Sequence, residues 1–232
     1  MKINHCDFPE DLLYDVENFV WCKTNTEGGM MTIGIINCLG YISGKLSNIN
    51  LKPIGIIVER GKSIGTIESP RYFGVVRSPV SGKIIEVNSS LSKLPELANK
   101  YPYSQGWFAR LKVTKIGEEI TNLKNIKGCS DEMAALIQRH HVICFDAFPD
   151  FELFEIGVEC AATLAKLDEL LEKISVGSVV HLVSDDPTAD LEMIRWSEQT
   201  GHSLLDTRRE ENLFHFVVKK TQGEMIESDQ NR

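Results

Sequence analysis

The sequence contains six cysteines, the residues best suited here to nucleophilic or metal chemistry. They are Cys6, Cys22, Cys38, Cys129, Cys144 and Cys160. No two of them form a C-x-x-C pair, and no histidine stands at zinc-finger spacing from two of them, so we predict no metal site. A disulfide framework is not expected in a cytosolic protein of this size. Most of these cysteines should be small buried hydrophobic residues, and the apolar run around Cys144 fits that interpretation.

Cys160 is the cysteine whose surroundings predict reactivity. It follows strand-like residues and precedes a stretch in which leucines recur at helical spacing up to Ile174. We therefore place its thiol at the start of a helix, where unpaired N–H groups and the helix dipole favour a thiolate. Glu155 and Glu159 are close in sequence, and a carboxylate near the thiol would oppose its ionisation. A cysteine in a helix-capping region without chemistry is the alternative interpretation.

The distribution of strand-like and helical patterns predicts a multi-domain chain. From Phe19 to Lys115, short strand-like runs alternate with Gly, Asn and Pro, a pattern typical of antiparallel barrels and sandwiches. After Pro149 the predicted order is βαβαββ, which favours an α/β two-layer sandwich. We therefore predict four segments: an all-β domain over 1–122, a helical linker over 123–148, an α/β domain over 149–220 and a polar tail over 221–232.

Charge and hydropathy exclude several classes of partner. The formal net charge is −8; residues 1–126 contribute +3 and residues 127–232 contribute −11. An acidic half repels phosphate, so we expect no nucleic-acid partner. No run of about 18 apolar residues is present, and the N-terminal residues lack the apolar core of a signal peptide, so we expect no membrane partner and a cytoplasmic location.

A series of motifs in the first half carries a family resemblance. Their order is Glu-Ser, Ser-Pro-Val-Ser-Gly, Asn and Pro-Tyr-x-x-Gly-Trp, and they begin at Glu68, Ser78, Asn88 and Pro102. With these motifs, residues 9–115 resemble the glycine cleavage H-protein, a lipoyl carrier. The resemblance implies the flattened β-barrel of lipoyl domains. It also implies a carrier lysine at a hairpin tip, two residues after Glu-Ser.

Arg71 occupies the position of that carrier lysine. Lipoylation is amide formation by an amine, whereas a guanidinium stays protonated and delocalised. We therefore expect no lipoyl group on Arg71 and predict no cofactor. Arg71 is interpreted either as an exposed cation that binds an anionic group or partner, or as a solvated turn residue. Tyr72 and Phe73 beside it have the composition of a protein-contact point, although their rings could also fold onto the barrel.

Residues 150–220 resemble the TusA-type sulfur carriers. The resemblance rests on Gly157-Val158-Glu159-Cys160, the helix that follows, the acidic turn Asp185-Asp186-Pro187 and Thr200-Gly201-His202. The family's cysteine lies in a Cys-Pro-x-Pro motif, which here reads Cys160-Ala161-Ala162-Thr163, without either proline. The resemblance implies that Cys160 carries sulfur as a persulfide. For the acidic turn we expect a structural role, as a helix cap.

The combined hypothesis is a non-enzymatic carrier of sulfur or lipoate-linked metabolism, at most a sulfurtransferase component. Cys160 would relay sulfur, and the H-like domain would be a docking module. Expected partners are sulfur donor or acceptor proteins, with lipoyl-system enzymes as further candidates. Two alternatives remain: a glycine cleavage H-protein that carries lipoate in glycine decarboxylation, and a non-reactive interaction or regulatory protein.

Overall fold

The computed structural model describes residues 1–25 and 29–222. The chain divides into two compact units, one of Met1–Cys144 and one that begins at Phe145. In the described part of the chain, no helix is long and apolar enough to cross a membrane. Of the polar tail predicted over 221–232, positions 223–232 lie outside the described residues.

The first unit is rich in short strands. Its strands and helices are β1 Lys2–Ile3, β2 Cys6–Asp7, β3 Leu13–Asp15, β4 Val20–Thr24, β5 Met30–Ile35, α1 Asn37–Ser43, β6 Asn48–Leu51, β7 Ile57–Val58, β8 Ser63–Ser69, β9 Tyr72–Arg77, β10 Gly82–Val87, α2 Leu97–Lys100, β11 Trp107–Val113, α3 Ile116–Glu119, β12 Lys124–Asn125 and α4 Ser130–Arg139. Alternation in β5 buries Met31, Ile33 and Ile35 in the first core cluster.

Three sheets organise this unit. A seven-stranded antiparallel sheet has the order β12-β3-β4-β5-β11-β10-β7, a three-stranded sheet has the order β6-β8-β9, and β1 pairs with β2. The predicted β-rich architecture is confirmed, but the described strands form these separate sheets and not one closed barrel. The edge strands β12 and β7 have two residues each, so they offer too few backbone groups to extend the ladder further.

Helix α4 belongs to the first unit, although the sequence analysis assigned it to a linker over 123–148. The unit extends to Cys144. Met133, Leu136 and Ile137 form one apolar face of the helix, and they are buried in a second core cluster with Phe8 and Tyr14. The helix packs within the unit because this face has to be removed from water.

A disulfide joins Cys6 to Cys144. This corrects the expectation that Cys144 is a free buried cysteine and that disulfides are absent. The partners are 138 residues apart, and the contact between them depends on the tertiary packing of the second core cluster, for which local sequence patterns give no signal. The remaining cysteines, Cys22, Cys38, Cys129 and Cys160, are free and buried, as the sequence predicted for most of them.

The second unit is an α/β two-layer sandwich with the predicted order of elements. These are β13 Phe151–Glu155, α5 Cys160–Lys173, β14 Val179–Ser184, α6 Ala189–Thr200, β15 Ser203–Glu210 and β16 Leu213–Lys219. The sheet order is β13-β14-β16-β15, with β13 parallel to β14 and the other pairs antiparallel. Alternate residues of β14 and β16, such as Leu182 and Phe216, form a third core cluster with Leu167 of α5 and Met193 of α6.

Candidate functional site

Cys160 is the first residue of helix α5, as the sequence predicted. Strand β13 ends at Glu155, and the connecting loop turns at Gly157, whose φ of +71° lies in the left-handed region that favours glycine. The exposed fraction of Cys160 is 7%. Ala161, at the position of the motif's first proline, and Ala162 are both exposed. The thiol is therefore largely covered, but the residues that follow it carry only small side chains.

The acidic turn between β14 and α6 holds the loop that presents Cys160. Asp185 Oδ1 accepts a hydrogen bond from Gly157 N at 2.7 Å, and Asp186 Oδ2 accepts one from Cys160 N at 2.8 Å. Asp186 Oδ1 also accepts hydrogen bonds from the backbone N and the hydroxyl of Thr188, at 2.8 and 2.7 Å. The predicted role as a cap of α6 is not what the turn does, because the N-cap residue of α6 is Thr188, whose side chain makes no capping hydrogen bond. Asp186 instead forms a local turn with Thr188 and binds the first N–H group of α5.

The electrostatic environment opposes ionisation of Cys160. Burial raises the pKa of its thiol, and the carboxylates of Asp186 and Glu192 raise it further. The helix start was expected to favour a thiolate, but the same backbone N–H group that would contribute is already bound to Asp186. Hydrogen bonds from Thr188 and Cys160 lower the pKa of Asp186, so this carboxylate stays charged beside the thiol.

The carboxylates named from the sequence are not those that raise the pKa of Cys160. Glu155 is buried and pairs with Lys166 Nζ at 2.5 Å, while Glu159 is the exposed N-cap residue of α5. Asp186 is 26 residues away in sequence, so only the tertiary fold brings it to Cys160. The acidic turn was a visible signal, but its contact with the loop after β13 was not predictable from local patterns.

Thr163 is a second feature of the helix start that sequence reasoning missed. It is 2% exposed and lies one turn after Cys160, so both side chains point to the same side of α5. Its hydroxyl has no hydrogen-bond partner among the described residues. A buried hydroxyl without a partner costs free energy, so it is an uncommon feature in the core of a small sandwich.

Arg71 lies at the tip of the β8–β9 hairpin, the place that the family resemblance implied for it. Ser69 pairs with Tyr72 in the register, which leaves residues 70–71 as the turn. Arg71 Nη2 donates a hydrogen bond to Tyr41 O at 3.2 Å, near the end of α1. A Cβ on Gly44 would lie 2.7 Å from Arg71 Nε, so the guanidinium packs directly against this glycine. The side chain is exposed, yet it folds back onto its own unit.

The two aromatic residues beside Arg71 behave differently. Phe73 is 69% exposed, whereas Tyr72 packs partly buried against the first core cluster, and burial raises the pKa of its phenol. The predicted exposed pair is therefore reduced to one exposed ring. Pro70, Arg71 and Phe73 are the exposed residues of the hairpin tip.

A lipoyl group attached through an amide does not fit the residue at this tip. The attachment chemistry needs an amine that can lose its proton, and the guanidinium of Arg71 offers none. Its Nη2 atom is also engaged with Tyr41 O. Arg71 therefore does not provide an attachment site for a lipoyl group.

Comparisons with known proteins agree with both halves of this description. The family model described as glycine cleavage H-protein matches residues 12–135, and the model described as sulfurtransferase TusA matches residues 155–220. Glycine cleavage system H protein 2 of Aquifex aeolicus is 35% identical over 60% of this chain and 86% of the relative. Probable glycine cleavage system H protein 2 of Sulfurisphaera tokodaii is 35% identical over 62% of this chain and 97% of the relative.

A solved structure is also similar to the first half. It is the crystal structure of a glycine cleavage system H protein from Mycobacterium marinum, 26% identical, with a TM-score of 0.48 over 54% of this chain and 98% of that chain. The two family matches confirm both resemblances inferred from the sequence, and domains of both kinds are carriers and not catalysts. The H-protein model covers more than half of the sequence. The chain therefore belongs to the glycine cleavage H-protein family and carries a TusA domain after its H-protein region.

Proposed function

We propose that this protein relays sulfur as a persulfide on Cys160. The observation that carries the proposal is the position of Cys160, at the first residue of α5 inside the region matched by the TusA model. Ala161 and Ala162 are exposed and small, so the side chain of a donor or acceptor cysteine has room to approach Cys160. The raised pKa of the thiol means that it is a slow nucleophile when alone, so a donor has to present an activated sulfur.

The transfer step is a thiol exchange that conserves atoms and electrons. The Cys160 sulfur attacks the outer sulfur of a donor persulfide. The donor S–S bond breaks, and the donor sulfur leaves with the bonding electron pair and takes up the proton lost by Cys160. Cys160 then holds the outer sulfur in a new S–S bond. An acceptor thiolate attacks this sulfur in turn, and the pair of electrons of the broken bond returns to Cys160.

The first unit would serve as a docking module in this proposal. It retains the H-protein fold family but has Arg71 at the attachment position, so we propose that it carries no lipoyl group. The exposed ring of Phe73 beside Arg71 supports a contact with a partner protein, because aromatic residues and arginine are enriched at such contacts. Sulfur donors and acceptors, and enzymes of lipoyl systems, are the proposed partners, in the cytoplasm.

Loading with labelled sulfur tests the relay. The full chain is incubated with a cysteine desulfurase and ³⁵S-cysteine, then separated without reductant and counted. We expect label on the native chain and on the control variant Cys129→Ala, and none on Cys160→Ala. Equal label on all three would contradict the role of Cys160. Absence of label from all three would favour the non-reactive alternative.

The lipoyl-carrier alternative rests on the family match of the first unit. Its test is the intact mass of the full chain after co-expression with a lipoate ligase in lipoate-containing medium. We expect no added lipoyl group. A chain that gains one lipoyl mass would support the H-protein role and would contradict the proposed docking function of the first unit, whatever the result of sulfur loading.

A further inference from the structure

Three cysteine sulfurs lie close together in the second core cluster of the first unit. The sulfurs of Cys6, Cys38 and Cys144 all lie within 4.8 Å of one another, and each residue is buried. Cys6 and Cys144 are joined, and Cys38 is a free thiol. Because two of the three sulfurs share a covalent bond, the arrangement places a thiol against a disulfide.

We propose that Cys6, Cys38 and Cys144 form a thiol–disulfide exchange site in which Cys38 is the internal nucleophile. The Cys38 sulfur attacks Cys6, a Cys38–Cys6 bond forms, and the Cys6–Cys144 bond breaks. Cys144 leaves with the bonding electron pair and takes up the proton lost by Cys38. The step is redox-neutral, so it needs no external oxidant or reductant.

The contacts around Cys38 select Cys6 as the sulfur that is attacked. Asn37, the first residue of α1, donates a hydrogen bond from Nδ2 to Asp7 O at 3.1 Å, so the start of α1 is already held beside β2. The Tyr103 hydroxyl donates to Asn37 Oδ1 at 3.0 Å, which fixes this side chain. A Cys38–Cys6 bond would join α1 to β2, two elements that are already in contact.

The position of Cys144 gives the exchange a consequence. Cys144 is the last residue of the first unit, and the disulfide links it to the β1–β2 hairpin at the start of the same unit. Exchange would release that link and convert Cys144 into a thiol. The site therefore has two covalent states of equal oxidation level that differ in whether the end of the unit is anchored.

Burial makes this exchange slow at neutral pH. It raises the pKa of the Cys38 thiol to about 12, so about one thiol in 10⁵ is ionised at pH 7. The attacking species is the thiolate, so the exchange rate should rise about 100-fold from pH 7 to pH 9. Proximity offsets part of this barrier, because the reacting sulfurs are held together before the reaction begins.

The test follows the disulfide bonds of the full chain without added thiol. Native protein is incubated at pH 7 and pH 9, quenched in acid, alkylated and digested, and its linked peptides are identified by mass spectrometry. We expect a Cys6–Cys38 peptide pair and alkylated Cys144 to appear within a day at pH 9, about 100-fold faster than at pH 7. The rate should be independent of protein concentration and unchanged in Cys129→Ala, which removes another free thiol.

Three results would overturn the proposal. The first is a Cys6–Cys144 pair that persists alone at pH 9, and the second is native protein in which Cys6 and Cys144 are not bonded to each other. The third is a rate that doubles with protein concentration, because it would mean exchange between molecules. The variant Cys38→Ala should keep the Cys6–Cys144 bond at both pH values; since the decisive measurement uses the native chain, a folding defect of this variant leaves the test intact.

Discussion

At the scale of single residues, Asp186 connects the structure of the Cys160 site to its reactivity. Its carboxylate accepts a hydrogen bond from Cys160 N and also raises the pKa of the Cys160 thiol. Asp186→Asn keeps an oxygen acceptor but removes the charge, so the thiol pKa should fall and alkylation at pH 7.5 should become about threefold faster. The measurement is the pH dependence of iodoacetamide modification of Cys160, read by peptide mass spectrometry.

The control for this variant is Glu169→Gln. Glu169 lies on the same helix, its side chain is 73% exposed, and it pairs with Lys173 one turn away. Its charge does not contribute to the raised pKa of Cys160. An equal acceleration in both variants would mean that a general change of net charge, and not the contact with Asp186, controls the thiol.

Arg71 gives the second prediction at this scale. Arg71→Lys restores an amine at the tip of the β8–β9 hairpin, where Ser69 and Tyr72 close a two-residue turn. We expect this variant, co-expressed with a lipoate ligase, to gain one lipoyl mass that the native chain lacks, since an amine is the missing group. Arg77→Lys, at the end of β9 away from the tip, is the matched control and should gain nothing. A modified control, or an unmodified Arg71→Lys, would contradict the prediction.

Sequence patterns identified residue types at this scale but not their long-range partners. Cys160 at a helix start was predictable from local spacing, and Arg71 at a hairpin tip from the family resemblance. The bond between Cys6 and Cys144 and the contact between Asp186 and Cys160 were not, because they span 138 and 26 residues. Neither pairing leaves a local signature. The chemical environment of each predicted residue therefore depends on the tertiary fold.

At the scale of elements, helix α5 contains a polar group that does not stabilise it. The Thr163 hydroxyl is buried without a hydrogen-bond partner in the described part of the chain. Thr163→Val has almost the same shape and removes the unpaired group, so the free energy of unfolding of the second unit should increase by about 1 kcal/mol. The measurement is a urea titration in which the oxidation of Met193 is followed. Met193 is 1% exposed in the third core cluster, so it becomes accessible to the oxidant when the second unit unfolds.

Thr200→Val on helix α6 is the matched control. The Thr200 hydroxyl donates a hydrogen bond to Trp196 O at 2.8 Å, so its removal should lower the free energy of unfolding by up to about 1 kcal/mol. The two variants make the same chemical change with opposite expected signs. A loss of stability in Thr163→Val would show that its hydroxyl has a partner in solution. A stable Thr163→Val with reduced ³⁵S loading would assign this hydroxyl to the sulfur site.

The elements of the second unit were predictable because their periodicity is strong. The βαβαββ order follows from short apolar runs in the strands and from the 3.6-residue period of the leucines in α5, and Leu167 and Leu171 of that helix are buried in the third core cluster. The first unit is less predictable, since two-residue strands such as β7 and β12 carry no usable period. The first unit extends to Cys144 because α4 packs in its second core cluster. Periodicity predicts that α4 is a helix, but it does not show which residues the apolar face of α4 contacts.

At the scale of the whole molecule, two histidines in the sheet of the second unit should make its stability depend on pH. His181 Nε2 and His215 Nδ1 are 3.0 Å apart, the rings stack, and Phe145 lies 4.6 Å from the His181 ring. His215 is 6% exposed, and its Nε2 has no partner among the described residues. Burial lowers the pKa of His215, and the nearby Glu210 opposes this only in part.

The sign of the effect follows from proton binding. The folded state binds a proton to His215 less readily than the unfolded state, whose pKa is near the ordinary value of 6.5. The contribution to stability is therefore fully present above about pH 6.5 and is lost as the pH falls through the folded-state value. We expect the second unit of the native chain to be less stable at pH 5.5 than at pH 7.5, and His215→Phe to reduce that difference.

Met193 oxidation in urea at the two pH values measures this difference for the second unit. His215→Phe also removes the hydrogen-bond partner of the His181 ring, so the absolute stability of this variant is not informative. The measured quantity is the change in its free energy of unfolding between pH 7.5 and pH 5.5. The control His140→Gln changes an exposed histidine of the first unit and should leave the difference as in the native chain. If His215→Phe keeps the full difference, the pH dependence arises elsewhere, for example at His202, whose pKa burial also lowers. A native chain that is equally stable at both pH values would mean that His215 remains able to take up a proton in the folded sheet.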